Sequence, residues 1–284
     1  ATFFWGSSFI PVKSLVATVP PYELLTIRFG MIGILLLPFI IPRLKHQPIT
    51  HIGYPLAPKH EGFPALFKSA FILSLFLFSG FAFQTVGMKY TTATNSAFVT
   101  GLNVVFVPIF LSLLGHQKPR LQLWICVFIA IVGLAIFSLT DRWTINYGDF
   151  LVFFCAIVFA LHVIYTSRFT LRHDPIILVC IQFLLVFIYG GLVSVTIELH
   201  QWVQLTFQGW LNILYLSIFA TGASLLLQAH YQRFTETTRA ALIYVMEPVF
   251  AAALGYLILH EFLTGRQWLG AILILAAMVL SEIK

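Results

Sequence analysis

Thr94–Trp124 reads TNSAFVTGLNVVFVPIFLSLLGHQKPRLQLW, and Thr238–Trp268 reads TRAALIYVMEPVFAAALGYLILHEFLTGRQW. The two align without a gap at an offset of 144 residues, which sets Thr94 on Thr238, Phe106 on Phe250, His116 on His260 and Trp124 on Trp268. Upstream, the same offset sets Gln84 on Gln228 and Tyr90 on Phe234. Nearer the start, an offset of 154 sets FFWGSSFI on IVFALHVI and Ile27-Arg28-Phe29 on Ile181-Gln182-Phe183. The ten-residue change of offset is a longer loop, 43–66, in the first half. Single matches of this kind carry little weight. Fixed offsets held across whole segments indicate a duplicated unit.

Composition fixes the solvent around that unit. Of 284 residues, 60% are hydrophobic and 9% charged, with a mean hydropathy of +0.94. A soluble domain carries about 25% charged residues, so this chain cannot cover a globule of its size with polar surface. It is expected to be an all-α integral membrane protein. Apolar strands would require a closed barrel with period-two alternation, which the sequence lacks. The 29 phenylalanines suit lipid-facing surfaces and the six tryptophans suit interfacial or cavity positions. The net charge of +6 sits in short loops between apolar runs, as topology signals rather than a nucleic-acid patch. Cys126, Cys155 and Cys180 fall inside apolar segments without CxxC spacing, the pattern of small buried hydrophobes rather than disulfide or zinc ligands. The chain opens at Ala1 inside an apolar run with no cleavable signal pattern, so its first helix is expected to lack a turn or two of its natural start.

Crossing the hydrocarbon takes about 20 helical residues. Apolar runs and their breaks give ten expected transmembrane helices: 1–17, 21–42, 67–88, 92–114, 120–139, 148–167, 175–198, 209–231, 237–259 and 265–282. With the N-terminus inside, the inner loops and end carry Arg43, Lys45, Lys59, Lys68, Lys118, Arg120, Arg168, Arg172, Arg233, Arg239 and Lys284, and the outer loops carry Lys89, Arg142 and Arg266. Eleven against three is a positive-inside bias that places both termini in the cytoplasm. Each repeat, 1–142 and 143–284, then holds five helices. Two copies of an odd-span unit cross the membrane in opposite senses. The expected fold is therefore ten transmembrane helices as two inverted five-helix repeats around a central cavity, the plan of secondary transporters.

FFWGSSFIPVKSL near the start, PPYELLTIRF opening the second span, TTATNSAFVTGLNVVFVPIF in the fourth and VMEPVFAAALGYLILHEFLTGRQWLGAILILAAMVL at the end resemble the EamA-type members of the drug/metabolite transporter superfamily. The resemblance covers essentially the whole chain, twice over. It implies a ten-helix bundle with a central cavity that exports small metabolites such as amino acids, or drugs, across the bacterial inner membrane. The second half departs in detail: Trp5-Gly6 becomes Phe159-Ala160 and Arg28 becomes Gln182, which argues against a symmetric pair of charged sites.

Glu247 falls near the middle of the ninth span, and its repeat partner is Asn103, near the middle of the fourth. Tyr244, Glu247, Ala251 and Gly255 share one helical face, and Thr100, Asn103 and Val107 the equivalent one. An ionisable group at the bilayer centre costs about 2.5–3.5 kcal/mol on insertion scales, so it faces a cavity or a partner. Pro248 leaves the Tyr244 carbonyl without its helical donor, a second acceptor beside the carboxylate. These residues point to a site for a substrate ammonium, a coupling proton, or both, against the structural alternative of a glutamate that ties helices together.

His162 in the sixth span, with Tyr165 and Phe159 close along the helix, is either a proton carrier or a histidine hydrogen-bonded to a neighbouring helix. Trp5 and Ser8, beside Gly6 and Ser7, occupy the depth where the first span approaches the cavity, and Pro11 frees the Ser7 carbonyl. Lys13, Glu23 and Arg28 lie toward the outer ends of the first two spans. They are either snorkelling or paired charges or an outer gate. Gln84 and Gln228 are expected first to bond helices together. His46, His51 and His60 lack metal-ligand spacing, and His116 and His260 sit at span ends. No nucleophile triad, phosphate loop or nucleotide-binding motif is readable, so the expected cofactor set is empty and no nucleic acid is implied. The expected partners are a small-molecule solute and the lipid bilayer, with a monomer or a homodimer both compatible. The function read from the sequence is export by alternating access. An uncoupled facilitator is the runner-up, and a membrane-embedded enzyme or lipid-handling protein using His162 and Glu247 is the alternative from another class.

Overall fold

A computed structural model describes residues 1–45, 62–115, 120–138, 147–198, 205–259 and 264–282. His46, His51, His60, His116 and His260 lie outside the described residues. In chain order the helices are α1 (Thr2–Leu15), α2 (Pro21–Lys45), α3 (Phe63–Tyr90), α4 (Ala93–Gly101), α5 (Asn103–Leu113), α6 (Leu121–Ser138) and α7 (Tyr147–Phe169). They continue as α8 (Pro175–Ile197), α9 (Phe207–Tyr215), α10 (Ser224–Tyr231), α11 (Thr237–Tyr244), α12 (Met246–Leu259) and α13 (Gly265–Glu282). Among the described residues there is no strand. Among the described residues, seven continuous stretches are long and apolar enough to cross a membrane, and two shorter apolar helices, Leu121–Gly133 and Trp268–Ala277, accompany them. The chain is a multi-pass membrane protein.

Local chemistry sets the helix starts. Thr92 Oγ1 accepts from Asn95 N at 3.0 Å, Asp174 Oδ1 from Ile176 N at 2.8 Å and Thr206 Oγ1 from Gly209 N at 3.1 Å. Each satisfies an amide that a helix start would otherwise leave open. The start of α2 has no such residue of its own. The Glu198 carboxylate, arriving from the end of α8, accepts from Tyr22 N and Glu23 N at 3.0 Å each.

The order of packing follows from which faces carry small residues. α2 lies along α8, α3 along α7, α6 along α13 and α1 along α12. Between α1 and α12 the approach is backbone to backbone. A Cβ at Gly6 would collide with the Glu247 carbonyl oxygen and lie 2.9 Å from Ala251 N. Without water to squeeze out, close backbone contact of this kind is what holds transmembrane helices together. Phe39, Phe128, Leu192, Phe207 and Trp268 are exposed on the outer surface, where acyl chains replace water. Inside, hydroxyls such as Thr170 and Ser217 donate to carbonyls four residues back along the chain, which lets polar side chains be buried without partners elsewhere in the bundle.

Four stretches among the described residues depart from regular α-helix. The expected fourth span is broken at Leu102 between α4 and α5, and the ninth at Val245 between α11 and α12. Between α9 and α10 the chain winds as a π-helix over Leu216–Ala223, followed after α10 by a 3-10 turn, Gln232–Phe234. Within the π-helix, Thr221 Oγ1 donates to Leu216 O at 2.8 Å, and just after it Ser224 Oγ donates to Phe219 O at 2.9 Å. Both reach five residues back, where the widened turn leaves carbonyls open. Residues flanking the two breaks, Thr100, Asn103, Tyr244 and Glu247, line the interior of the bundle.

Candidate functional site

A cavity of about 50 Å³ lies where the two broken stretches meet α1, α3, α7 and α10, lined among others by Trp5, Ser8, Phe81, Gln84, Thr100, Asn103, Phe159, His162, Gln228, Tyr244 and Glu247. It has space for a few water molecules. Pockets that enclose drug-sized ligands run to roughly 300–1,000 Å³, so the cavity at this volume does not hold one.

Glu247 is 8% exposed, sits on the first turn of α12, and its carboxylate makes no ion pair among the described residues. Its repeat partner Asn103 opens α5, and Asn103 Oδ1 is buried without a hydrogen-bond partner. Two breaks thus deliver one acid and one amide to the same cavity. Trp5 from α1 stands edge-on to the Tyr244 ring at 5.3 Å. Ser8 Oγ donates back to Trp5 O at 2.7 Å, and Gln84 Nε2 donates to Thr100 Oγ1 at 3.1 Å.

His162 lines the cavity from α7, with Nε2 3.1 Å from Gln182 Oε1. Gln182 donates its own Nε2 to Leu178 O at 3.2 Å. The amide oxygen therefore faces the ring, and Nε2 of His162 must carry the proton. Tyr165 lies off the cavity. Its ring stacks on Phe76 at 5.6 Å and meets Phe169 at 5.7 Å.

Lys13, Glu23 and Arg28 lie outside the cavity lining. Lys13 Nζ donates to Met88 O at 2.6 Å and to Thr91 O at 2.7 Å, placing a cation on the open carbonyls at the end of α3. Thr91 in turn donates to Asp149 on α7. Glu23 is buried beneath the Glu198 cap. Arg28, 2% exposed, donates to Thr221 in the π-helix, and its guanidinium stands 4.7 Å from the Phe81 ring centroid. Its repeat counterpart Gln182 is the residue that holds His162.

The residue that sequence reasoning missed is Gln232. Its Nε2 donates to Val163 O and Ser167 Oγ at 2.6 Å each. Its Oε1 accepts from Gln228 Nε2 and Tyr244 OH at 3.0 Å each. One buried amide thereby ties α7, α10 and α11 together. It lines a second, larger cavity of about 510 Å³, together with Ser167, Arg168, Arg233 and Thr237 among others, while its partners Gln228 and Tyr244 line the first. Its signal in the sequence was the second glutamine one helical turn after Gln228 in a largely apolar stretch.

A family model described as the EamA-like transporter family matches residues 1–139 and again 146–282. An uncharacterised transporter of Archaeoglobus fulgidus is 30% identical over 280 residues, covering 99% of this chain and 82% of its own. The uncharacterised inner membrane transporter YedA of Escherichia coli is 26% identical over 284 residues, covering 97% of this chain and 86% of its own. A solved crystal structure at 14% identity superposes with a TM-score of 0.73, covering 99% of this chain and 96% of that one.

Proposed function

Because this chain belongs to the EamA-like transporter family, we propose that it is a secondary transporter that exports small amphipathic solutes, amino acids or related metabolites, by alternating access. The observation that carries this reading is Glu247, a buried carboxylate without an ion-pair partner in a cavity built by two broken helices. Such a group is costly at membrane depth and persists where it serves a solute or proton path. It is assigned to the substrate's ammonium or to a coupling proton. Trp5, Ser8, Thr100, Asn103, His162 and Tyr244 line the solute's compartment, and His162 is the second candidate proton carrier.

Alternating access needs closures at both ends. Gln232 closes the cavity toward the large vestibule, and the Lys13–α3 contact with Thr91–Asp149 lies at the opposite end. Glu23 and Arg28 belong to that outer region. An inverted repeat is supported by the double match of the family model and by packing that maps onto itself when the halves are exchanged: α1 on α12 corresponds to α7 on α4 and α5. In this reading the protein sits in a bacterial inner membrane with both termini cytoplasmic, and the vestibule opens inward.

Two measurements test the proposal. Cysteines at the repeat partners Tyr90 and Phe234, both exposed, are expected to react with an impermeant reagent from opposite sides, Tyr90→Cys from outside; labelling from one side contradicts the inverted repeat. Proteoliposomes given labelled amino acids and cationic amphiphiles are expected to move a solute across unchanged. Release of a chemically modified solute would favour the enzyme alternative.

A further inference from the structure

The 510 Å³ vestibule belongs to none of the residues assigned above except through its wall, Gln232. Two guanidiniums line it, Arg168 near the end of α7 and Arg233 in the 3-10 turn, and neither makes an ion pair among the described residues. Each is steadied by an aromatic ring. The Arg233 guanidinium stands 4.8 Å from the Phe234 centroid and that of Arg168 6.0 Å from the Tyr165 centroid. A stacked guanidinium has its flat face covered and its N–H edges free, the arrangement that meets a planar carboxylate or a phosphate. The Arg233 Nε–H is buried and has no hydrogen-bond partner. A buried donor left open is costly unless an anion or water completes it.

The rest of the lining agrees with that charge. Ser167, Thr235 and Thr237 contribute hydroxyls. The one acid in the lining, Glu236, has its carboxylate 3.5 Å from Arg239 Nε, so it is already partly neutralised. A positive-inside bias accounts for arginines at this end of the bundle. It does not account for two of them lining one concave site together with three hydroxyl side chains.

We propose that this vestibule is an anion-binding site that captures the carboxylate end of a solute before it reaches the central cavity. The inference rests on the transport reading for its purpose, while the binding it asserts can be measured without transport. It narrows the substrate class to solutes bearing an anionic group, zwitterions included, because the central cavity then offers Glu247 to a cationic end. An anionic lipid headgroup presents the same chemistry to the same arginines and is the other source of the ligand.

The test uses the whole protein in phosphatidylcholine nanodiscs, with thermal stability read against phenylacetate, phenylalanine and phenethylamine. A ligand that binds the folded state raises its melting temperature. Phenylacetate and phenylalanine are expected to stabilise the wild type. In the Arg168→Gln/Arg233→Gln double variant the phenylacetate effect is expected to disappear. Arg168→Gln alone, at an exposed position, keeps the fold and is expected to weaken the apparent affinity about tenfold, the usual worth of a charge-assisted contact. High salt is expected to weaken the wild-type effect and leave the double variant unmoved.

Repeating the titration in phosphatidylglycerol nanodiscs separates the sources. A wild-type protein that is stabilised by this lipid and no longer responds to phenylacetate assigns the anion site to a headgroup, and a retained response assigns it to the solute. Stabilisation by phenylacetate that is equal in wild type and double variant overturns the proposal, as does absence of any response in both lipids. Glu247→Gln provides the separate check on the transport reading. If transport is unaffected by that change, the central site fails while the vestibule titration stands on its own result.

Discussion

The two breaks, at Leu102 and at Val245, have the same shape and different causes. Leu102 has φ −62° and ψ −11°, Val245 φ −63° and ψ −12°, and each amide donates to a carbonyl three residues back at 3.2 Å. At Val245 the cause is visible: Pro248 cannot donate to the Tyr244 carbonyl, and its ring would crowd it. At the corresponding place in the first half stands Val104, which has its amide. There the break follows Gly101 and precedes Pro108 by more than a turn, and packing must hold it. The chemistry beyond the break differs as well, since Asn103 is neutral and Glu247 ionisable. One scaffold is used twice, and the charge is placed once. On the proposed transport reading, the two halves share the shaping of the cavity and the second half alone supplies its ionisable group.

The largest effect expected from disturbing this arrangement is at Gly6, where α1 touches the second break. Gly6→Val places two methyl groups against the Glu247 carbonyl and the α12 backbone, which cannot move aside as a side chain can. A loss of about 3 kcal/mol is expected, read as a sharp fall in folded yield and melting temperature. A variant as stable as wild type would show that the close approach does not set the position of Glu247.

A smaller effect is expected from Gln232→Leu, which takes away the amide that ties α11, on the near side of the second break, to α7 and α10. Its four hydrogen bonds leave Tyr244 OH, Gln228 and Ser167 to find other partners, a cost of about 2 kcal/mol. The variant is expected to be less stable and to leak: solute should equilibrate across proteoliposomes without a gradient. Unchanged stability and tight transport would remove Gln232 from the gate.

The smallest effect is expected in the first half. Asn103 Oδ1 has no partner to lose, so Asn103→Leu should stay within about 1 kcal/mol of wild type and slow transport a few-fold. A loss of transport as severe as that of a Glu247 variant would erase the asymmetry between the breaks.

Much of this was legible in the sequence, because apolar runs between charged or proline-rich breaks fix helix positions to within a few residues. The repeat offset pairs Asn103 with Glu247, and both line the one cavity. What was not legible was geometry decided by packing. The Leu102 break has no proline to announce it. The π-helix over Leu216–Ala223 is a feature of the backbone winding that no residue pattern announces. Tyr165 was grouped with His162 by its place along the helix, where i and i+3 lie about 60° apart, but its ring is turned to Phe76 and Phe169, a choice of packing that spacing does not fix. Gln84 and Gln228 looked like helix-bonding residues; they make those bonds and line the cavity too.

The central claim is that the carboxylate of Glu247 acts on the transported species. Glu247→Gln keeps the shape and hydrogen-bonding capacity of the side chain and removes its charge and titration. The decisive measurement is counterflow of labelled substrate at equal pH in proteoliposomes, alongside accumulation driven by a pH gradient. If Glu247 carries only the proton, the variant keeps exchange and loses driven accumulation. If it binds the solute, it loses both. Either result supports the account. A folded Glu247→Gln protein with normal exchange, normal accumulation and unchanged pH dependence would contradict it, and would make the carboxylate a residue that only ties helices together.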